Sequence, residues 1–299
     1  MTASELIIVV GGIKCTVYGL QEALESPKNL DVALVFMLHG RGESQKGERY
    51  PSIANKCLAA ANKHPQRTRN LILVSLDHRN HGSRLIDKLH NKGWPDNANH
   101  LMDMFAIQQG TSRDVSYLID YLPAYLFPND ELSVVDFGCI GVSLGGHATW
   151  MVLHQDHRIS VGAPIIACAE YMSLMEARAG KKDIALKIPK PFKEQLHRYD
   201  PMLSFEHSKD AWNGKKIMAL SGTHDNLVPP KHQVNFKDKL TQLYSSDSDA
   251  VMLWKTFDGV KHEVPDLMQD TCANFITDAL IACVDKEELL RRSSRDSSL

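Results

Sequence analysis

Six short, largely apolar runs constrain this chain more than any other feature: residues 32–38, 71–76, 132–140, 159–167, 216–221 and 251–257. A strand wetted on one face alternates apolar and polar residues, whereas an uninterrupted apolar run fits a strand covered on both faces, as in a parallel sheet flanked by helices. The intervening segments supply those helices. Apolar and small residues recur at helical spacing over 53–63, with Pro51-Ser52 ahead and Pro65 beyond as boundaries. Residues 101–127 fit one long helix or two short ones, with Gly110 as the point of interruption, and 147–154, 231–244 and 266–283 also read as helical. Ahead of them, 6–10 and 13–18 are joined by Gly11-Gly12 and predict an antiparallel hairpin, followed by a polar, turn-like stretch over 21–31. Strands alternating with helices predict an α/β architecture, a mostly parallel twisted sheet wound on both faces.

A chain of 299 residues can bury a large core in one α/β unit without staples. Net charge of −2 and a pI near 6.7 provide no basic field for nucleic acid. Cysteines 15, 57, 139, 168, 272 and 283 contain no C-x-x-C pair, and Cys139, Cys168 and Cys283 lie in apolar runs. They read as small hydrophobes in a reduced compartment. The amino terminus has neither a basic n-region nor an apolar run long enough for a signal peptide or membrane span, so a cytoplasmic protein is expected. A homodimer is compatible with the chain.

In doubly wound sheets chemistry gathers at the carboxyl ends of strands. The third long run ends in Gly141-Val142-Ser143-Leu144-Gly145-Gly146, directly ahead of a helical segment. A strand, a sharp turn and a helix present a serine hydroxyl beside a backbone N–H, with Gly141 and Gly145 flanking the nucleophile elbow. A serine hydroxyl attacks at neutral pH only if a base takes its proton, and the base needs a carboxylate to fix its tautomer. The loop after 216–221 carries Asp225 and the loop after 251–257 carries His262, giving the order Ser, Asp, His after three strands. Asp258 is a rival acid, but it shares a loop with His262, an awkward position from which to orient the imidazole. A developing oxyanion needs two N–H donors, and losing one costs about 3 kcal/mol. Leu144 N–H supplies one. The loop His39-Gly40-Arg41-Gly42 supplies the other, with Arg41 N–H favoured and Gly40 or Gly42 as alternatives.

Gly141-Val142-Ser143-Leu144-Gly145-Gly146-His147-Ala148, with Asp225 and His262 downstream, resembles the α/β-hydrolase superfamily. Within it, the run is similar to the esterase-like branch grouped with prolyl-oligopeptidase catalytic domains and dienelactone hydrolases. The resemblance spans about residues 6–283 and implies the fold, the triad and the oxyanion loop, without naming a substrate. These 299 residues leave no room for the large amino-terminal propeller with which oligopeptidases select peptides, so a peptidase role is not expected. Asp77 to Arg84 resembles the D-x-R-G-H-G-x-S element of the superfamily, with Asn80 in place of glycine and Arg84 in place of serine. A structural turn is the favoured role for this loop, while His39, Gly40, His78 and His81 are candidates for lining the pocket.

No histidine pattern with metal-ligand spacing occurs, so no metal and no cofactor are expected. His147 is expected to pack behind the elbow, His224 to be a loop residue, and His154 and His157 to end a helix in solvent. Residues 169–211 separate two strands by more than an ordinary connection. They fit a crossover helix plus long loop, or a small cap inserted in a hydrolase domain of 1–285, with 286–299 a polar tail. Within the segment Tyr171, Met172, Met175, Phe192 and Phe205 could roof an apolar pocket or simply form core, and Trp94 and Trp212 are equally ambiguous. Ser297-Ser298-Leu299 lacks the basic middle residue of a peroxisomal signal. The expected function is a serine hydrolase acting through an acyl-enzyme on a small ester, lactone, thioester or amide. Intramolecular acyl transfer to give a lactone, or a non-catalytic binding role on the same fold, are the alternatives. A dehydrogenase is excluded by the lack of G-x-G-x-x-G after the first strand.

Overall fold

The computed structural model describes residues 2–26 and 30–295. Eight strands form one sheet: β1 (Glu5–Val10), β2 (Ile13–Tyr18), β3 (Val32–Leu38), β4 (Asn70–Leu76), β5 (Val134–Val142), β6 (Ile159–Ile165), β7 (Lys216–Gly222) and β8 (Val251–Phe257). Their spatial order is β1-β2-β4-β3-β5-β6-β7-β8. β1 and β2 form the predicted hairpin, turning at Gly11 and Gly12, both with positive φ, and β2 pairs antiparallel with β4. The other strands run parallel.

Helices complete the two outer layers: α1 (Leu20–Leu24), α2 (Arg49–Lys63), α3 (His100–Leu126), α4 (Leu144–Gln155), α5 (Tyr171–Gly180), α6 (Lys190–Tyr199), α7 (Val234–Tyr244), α8 (Asp266–Ile276) and α9 (Lys286–Arg295). The reading of the apolar runs as strands covered on both faces holds most clearly at β3, where all seven residues are buried. Val32, Leu34, Phe36 and Leu38 join a core shared with α3, α4 and α7, while Ala33, Val35 and Met37 join a second core under α2 and α8. This is the α/β-hydrolase fold. Among the described residues no helix is long and apolar enough to cross a membrane.

Several boundaries differ from the sequence reading, each for a local reason. α3 runs unbroken through Gly110 because the missing side chain makes room for Arg79: a Cβ there would lie 2.6 Å from Arg79 Cδ. Arg79 in turn pairs with Asp114, one helical turn along. α2 begins ahead of Pro51, which falls in the first turn, where its missing N–H costs nothing. The last long helix stops at Ile276 and passes into a wider turn over Thr277–Ile281, ending at Cys283, which is exposed and not packed as a hydrophobe. The segment read as a polar tail instead carries α9, held by Leu289 in the core and by Arg292, which reaches Glu288 and Asp278 at 2.6 Å each. Residues 27–29 of the polar stretch, and Ser297-Ser298-Leu299, lie outside the described residues.

Between β6 and β7, residues 169–211 hold α5, α6 and short 3-10 turns. Tyr171 and Met175 bury their side chains in a cluster separate from the two sheet-facing cores, together with Trp94, Met104 and Phe105, and Phe192 packs against it. Phe205 and Trp212 belong to the main core instead.

Candidate active site

β5 delivers Ser143 to the carboxyl edge of the sheet, and α4 starts at the next residue. Ser143 has φ 53 and ψ −110, a conformation that non-glycine residues seldom adopt. Its surroundings hold it there. A Cβ on Gly141 would lie 2.1 Å from the Gly145 carbonyl oxygen, and one on Gly145 would lie 2.1 Å from the Leu38 carbonyl oxygen. Only glycine lets β3, β5 and α4 approach this closely. Ser143 N–H donates to the Ile165 carbonyl at 2.9 Å, fastening the turn to β6.

The structure brings the three residues singled out by their order into contact. Ser143 Oγ donates to His262 Nε2 at 2.9 Å, and His262 Nδ1 donates to Asp225 Oδ2 at 2.7 Å. The other carboxylate oxygen, Asp225 Oδ1, accepts from the N–H groups of Leu227 and Val228, each at 2.8 Å. Burial alone would raise the Asp225 carboxyl, but the His262 imidazole and these two N–H groups together hold it below the usual carboxylate range. The loops bearing acid and base are themselves tied together, since His224 N–H donates to the Val260 carbonyl at 2.9 Å. Asp258 faces elsewhere, accepting from Thr223 Oγ1 at 3.1 Å.

Leu144 N–H opens α4 beside Ser143, where the first N–H groups have no partner inside the helix, and the next one, Gly145 N–H, is taken by the His39 carbonyl. Gly40 N–H is already committed to Glu43 and Tyr50, at 3.1 Å each, which removes it as an oxyanion donor. Arg41 lines the Ser143 cleft, and Gly42 lines the adjoining cavity.

Two residues proposed as pocket lining are something else. His39 and His78 are sealed in the interior, and their ring nitrogens serve the backbone. His39 Nδ1 donates to the Gly40 carbonyl at 2.8 Å while its Nε2 accepts from His78 N–H at 3.0 Å. His78 Nε2 donates to the His39 carbonyl at 2.7 Å, and Thr111 Oγ1 donates to His78 Nδ1 at 2.7 Å. Burial lowers His39 to about 4 and lowers His78 further below its ordinary value, so both rings are neutral struts. Of that group only His81 lines a cavity, one of about 370 Å³ beside the cleft that also includes Arg41, Lys88 and Lys92.

The Asp77–Arg84 loop is a turn, as expected. Asp77 Oδ2 accepts from both the N–H and the hydroxyl of Ser83, and Oδ1 accepts from Gln45 N–H. Asn80 has φ 58, which explains how it stands where the superfamily pattern has glycine, because asparagine tolerates the left-handed region. His147 packs behind the elbow, its Nδ1 accepting from Cys168 N–H at 3.0 Å, and burial lowers it to about 3. His154 departs from its reading as a solvated helix end. It is buried under the segment before β7, bonded to Ser208 Oγ at 2.8 Å and Ser204 Oγ at 3.1 Å.

The immediate cleft over Ser143 is narrow, about 30 Å³, and its far wall is α5. Tyr171, Leu174, Met175 and Arg178 face it from that helix. Arg178 escaped the sequence reading, although one signal was present. It continues the stripe of Tyr171, Leu174 and Met175 at helical spacing, a cation on an otherwise apolar face.

The Prolyl oligopeptidase family pattern matches residues 124–273, half of the sequence and the part that carries all three contacting residues. The chain belongs to the prolyl oligopeptidase family. Members of this family are serine hydrolases. No curated protein sequence matches the chain. Among solved structures it is similar to TT1662 from Thermus thermophilus, with TM-score 0.60, 16% identity, and coverage of 93% of this chain and 98% of that one. It is also similar to a cold-adapted esterase from an Arctic intertidal metagenomic library, with TM-score 0.57, 15% identity, and 93% and 94% coverage. Similarity to the Pyrococcus horikoshii acylaminoacyl peptidase, with TM-score 0.60 and 11% identity, covers 97% of this chain but 44% of that one. At these identities the likeness speaks for the fold.

Proposed function

We propose that the protein hydrolyses small carboxylic esters or closely related acyl compounds, with Ser143 as nucleophile, His262 as base and Asp225 as the orienting acid. The observation that carries this reading is the unbroken hydrogen-bonded line from Ser143 through His262 to Asp225. His262 takes the Ser143 proton as Oγ bonds to the substrate carbonyl carbon, and the oxyanion is held by Leu144 N–H and Arg41 N–H. The imidazolium, steadied by Asp225, returns the proton to the leaving oxygen as the ester C–O bond breaks. Water, deprotonated by His262, then attacks the acyl-enzyme and releases the acid, with its proton passing back to Ser143. Each N–H donor contributes about 3 kcal/mol to the transition state.

The size of the cleft, about 30 Å³, favours short acyl groups over bulky ones. The larger cavity of about 370 Å³ beyond Arg41 gives the leaving group a way out. Residues 169–211 act in this scheme as a cap within the hydrolase domain, because α5 closes one side of the cleft and rests on its own apolar cluster. Incubation with a fluorophosphonate probe tests the proposal. Covalent labelling at Ser143, with turnover of p-nitrophenyl acetate or butyrate, is expected, and an unlabelled folded protein would overturn it.

A further inference from the structure

Among the described residues Arg178 makes no salt bridge; the carboxylate that acts on it, Asp225, does so only through space. Arg178 Nη2 donates to the Leu227 carbonyl at 2.8 Å, its Nη1 lies 3.8 Å from Met175 Sδ, and its Nε is buried with no partner. A carbonyl and a thioether neutralise no charge, and a buried guanidinium donor left unmade is costly. The side chain is partly buried, and arginine is suited to gripping a carboxylate with two parallel N–H bonds. Burial first, and then the neighbouring Arg41 cation, push the Arg178 guanidinium below its usual value. The same positive field reaches His100, which is lowered to about 4 by burial and then by Arg41 and Arg178.

The negative charges around the cleft are spent elsewhere. Asp225 is engaged by His262, Leu227 and Val228, and Glu43 by Arg49, Tyr50 and Gly40. Arg178 and Arg41 line the same narrow space as Ser143. With the leaving group assigned to the open cavity, the acyl part is what lies beside α5 while it is bonded to Ser143.

We propose that Arg178, reinforced by Arg41, binds a carboxylate carried on the acyl part of the substrate. The enzyme would then prefer half-esters of short dicarboxylic acids to neutral esters of the same length. The narrow cleft favours a short spacer between the scissile carbonyl and the carboxylate. This inference rests on the hydrolase reading and adds substrate class to it.

The test compares kcat/KM for the p-nitrophenyl half-ester of succinic acid with that for p-nitrophenyl butyrate in wild-type protein and in Arg178→Gln and Arg178→Lys. Wild type is expected to favour the charged ester. Arg178→Gln should reduce the charged-to-neutral ratio roughly 10- to 100-fold, as for loss of a hydrogen bond to a charged group, and Arg178→Lys should restore part of it. A wild-type ratio of one or less, or a ratio that Arg178→Gln leaves unmoved, overturns the proposal. A purely structural Arg178 would slow both esters together, which counts against it equally. The wild-type ratio needs no variant and stands even if Arg178→Gln fails to fold. Absence of turnover of both esters together with absence of fluorophosphonate labelling in wild type would instead be the failure of the hydrolase reading.

Discussion

Gly145 N–H donates to the His39 carbonyl at 3.0 Å, and His78 Nε2 donates to that same oxygen at 2.7 Å. One carbonyl therefore joins the first turn of α4, the loop after β3 and the loop after β4. The turn at Ser143 and the loop of Gly40 and Arg41 are set against each other through backbone, with neutral histidine as the spacer.

Gly145→Ala breaks that arrangement. The new Cβ would lie 2.1 Å from the Leu38 carbonyl oxygen, and a strand backbone cannot yield as a side-chain tip can. Overpacking of this kind costs about 2 kcal/mol or more, and the displaced α4 would carry Leu144 N–H away from Ser143. We expect a lower urea midpoint together with a fall in kcat. A variant with unchanged midpoint and turnover would contradict the close approach.

Ser143→Ala removes the proposed nucleophile while leaving the flanking glycines in place. Ester turnover should drop by roughly 1,000-fold or more, because the remaining donors and binding contacts retain only a fraction of the rate. Near-ultraviolet circular dichroism should match wild type, so that lost activity cannot be assigned to unfolding. Turnover within tenfold of wild type would remove Ser143 from the mechanism.

Asp225→Asn and Asp258→Asn separate the two candidate acids. Asp225 contacts His262 Nδ1 at 2.7 Å, whereas Asp258 accepts from Thr223. An amide at 225 favours the wrong imidazole tautomer and should lower kcat by up to about 10,000-fold. The change at Asp258 should alter kcat by less than about threefold, in line with its exposed partner. Steady-state kinetics on one neutral ester decides, and equal losses would reject the assignment.

Acid should destabilise the fold before ordinary carboxylates titrate. Burial lowers His39, His100 and His154 to about 4 and His147 to about 3, from an ordinary 6.5. The unfolded chain takes up these protons near pH 6.5, while the folded chain refuses them until about pH 4 or below. Stability that is fully present above pH 6.5 is therefore lost as pH falls from 6.5 toward 4, at up to about 1.4 kcal/mol per pH unit for each ring. Urea unfolding at pH 7.5, 6.5 and 5.5 should show it, with a shallower slope in His154→Gln. A flat profile over that range would mean that these rings are not neutral in the folded protein.

The strands and the site were legible for one physical reason. The inner strands of a sheet covered on both faces read as apolar runs, and the polar residues after each run mark the edge where Ser143, Asp225 and His262 meet. What stayed hidden depends on contacts distant in sequence. Gly110 reads as an interruption until Arg79 is seen filling the space it leaves. His154 looks solvated because Ser204 and Ser208, which enclose it, arrive about fifty residues later. His39 and His78 look like pocket residues because their loops are polar, but their rings point inward to backbone. The helix over Lys286–Arg295 was obscured by its charge, although Glu288 and Arg292 have the spacing that supports a helix.

Ser143 stands 119 residues ahead of His262, and His262 stands 37 after Asp225, so the reacting line is closed only by the last two strands of the sheet. A chain with only β1 to β6 in place would carry Ser143 without Asp225 or His262. Under the proposed mechanism turnover requires β7 and β8 to be docked, so ester hydrolysis would report on the final steps of assembly. Under the same mechanism, fragments divided just ahead of β7 should each be inactive, and activity on mixing them would measure how firmly the carboxyl-terminal third docks.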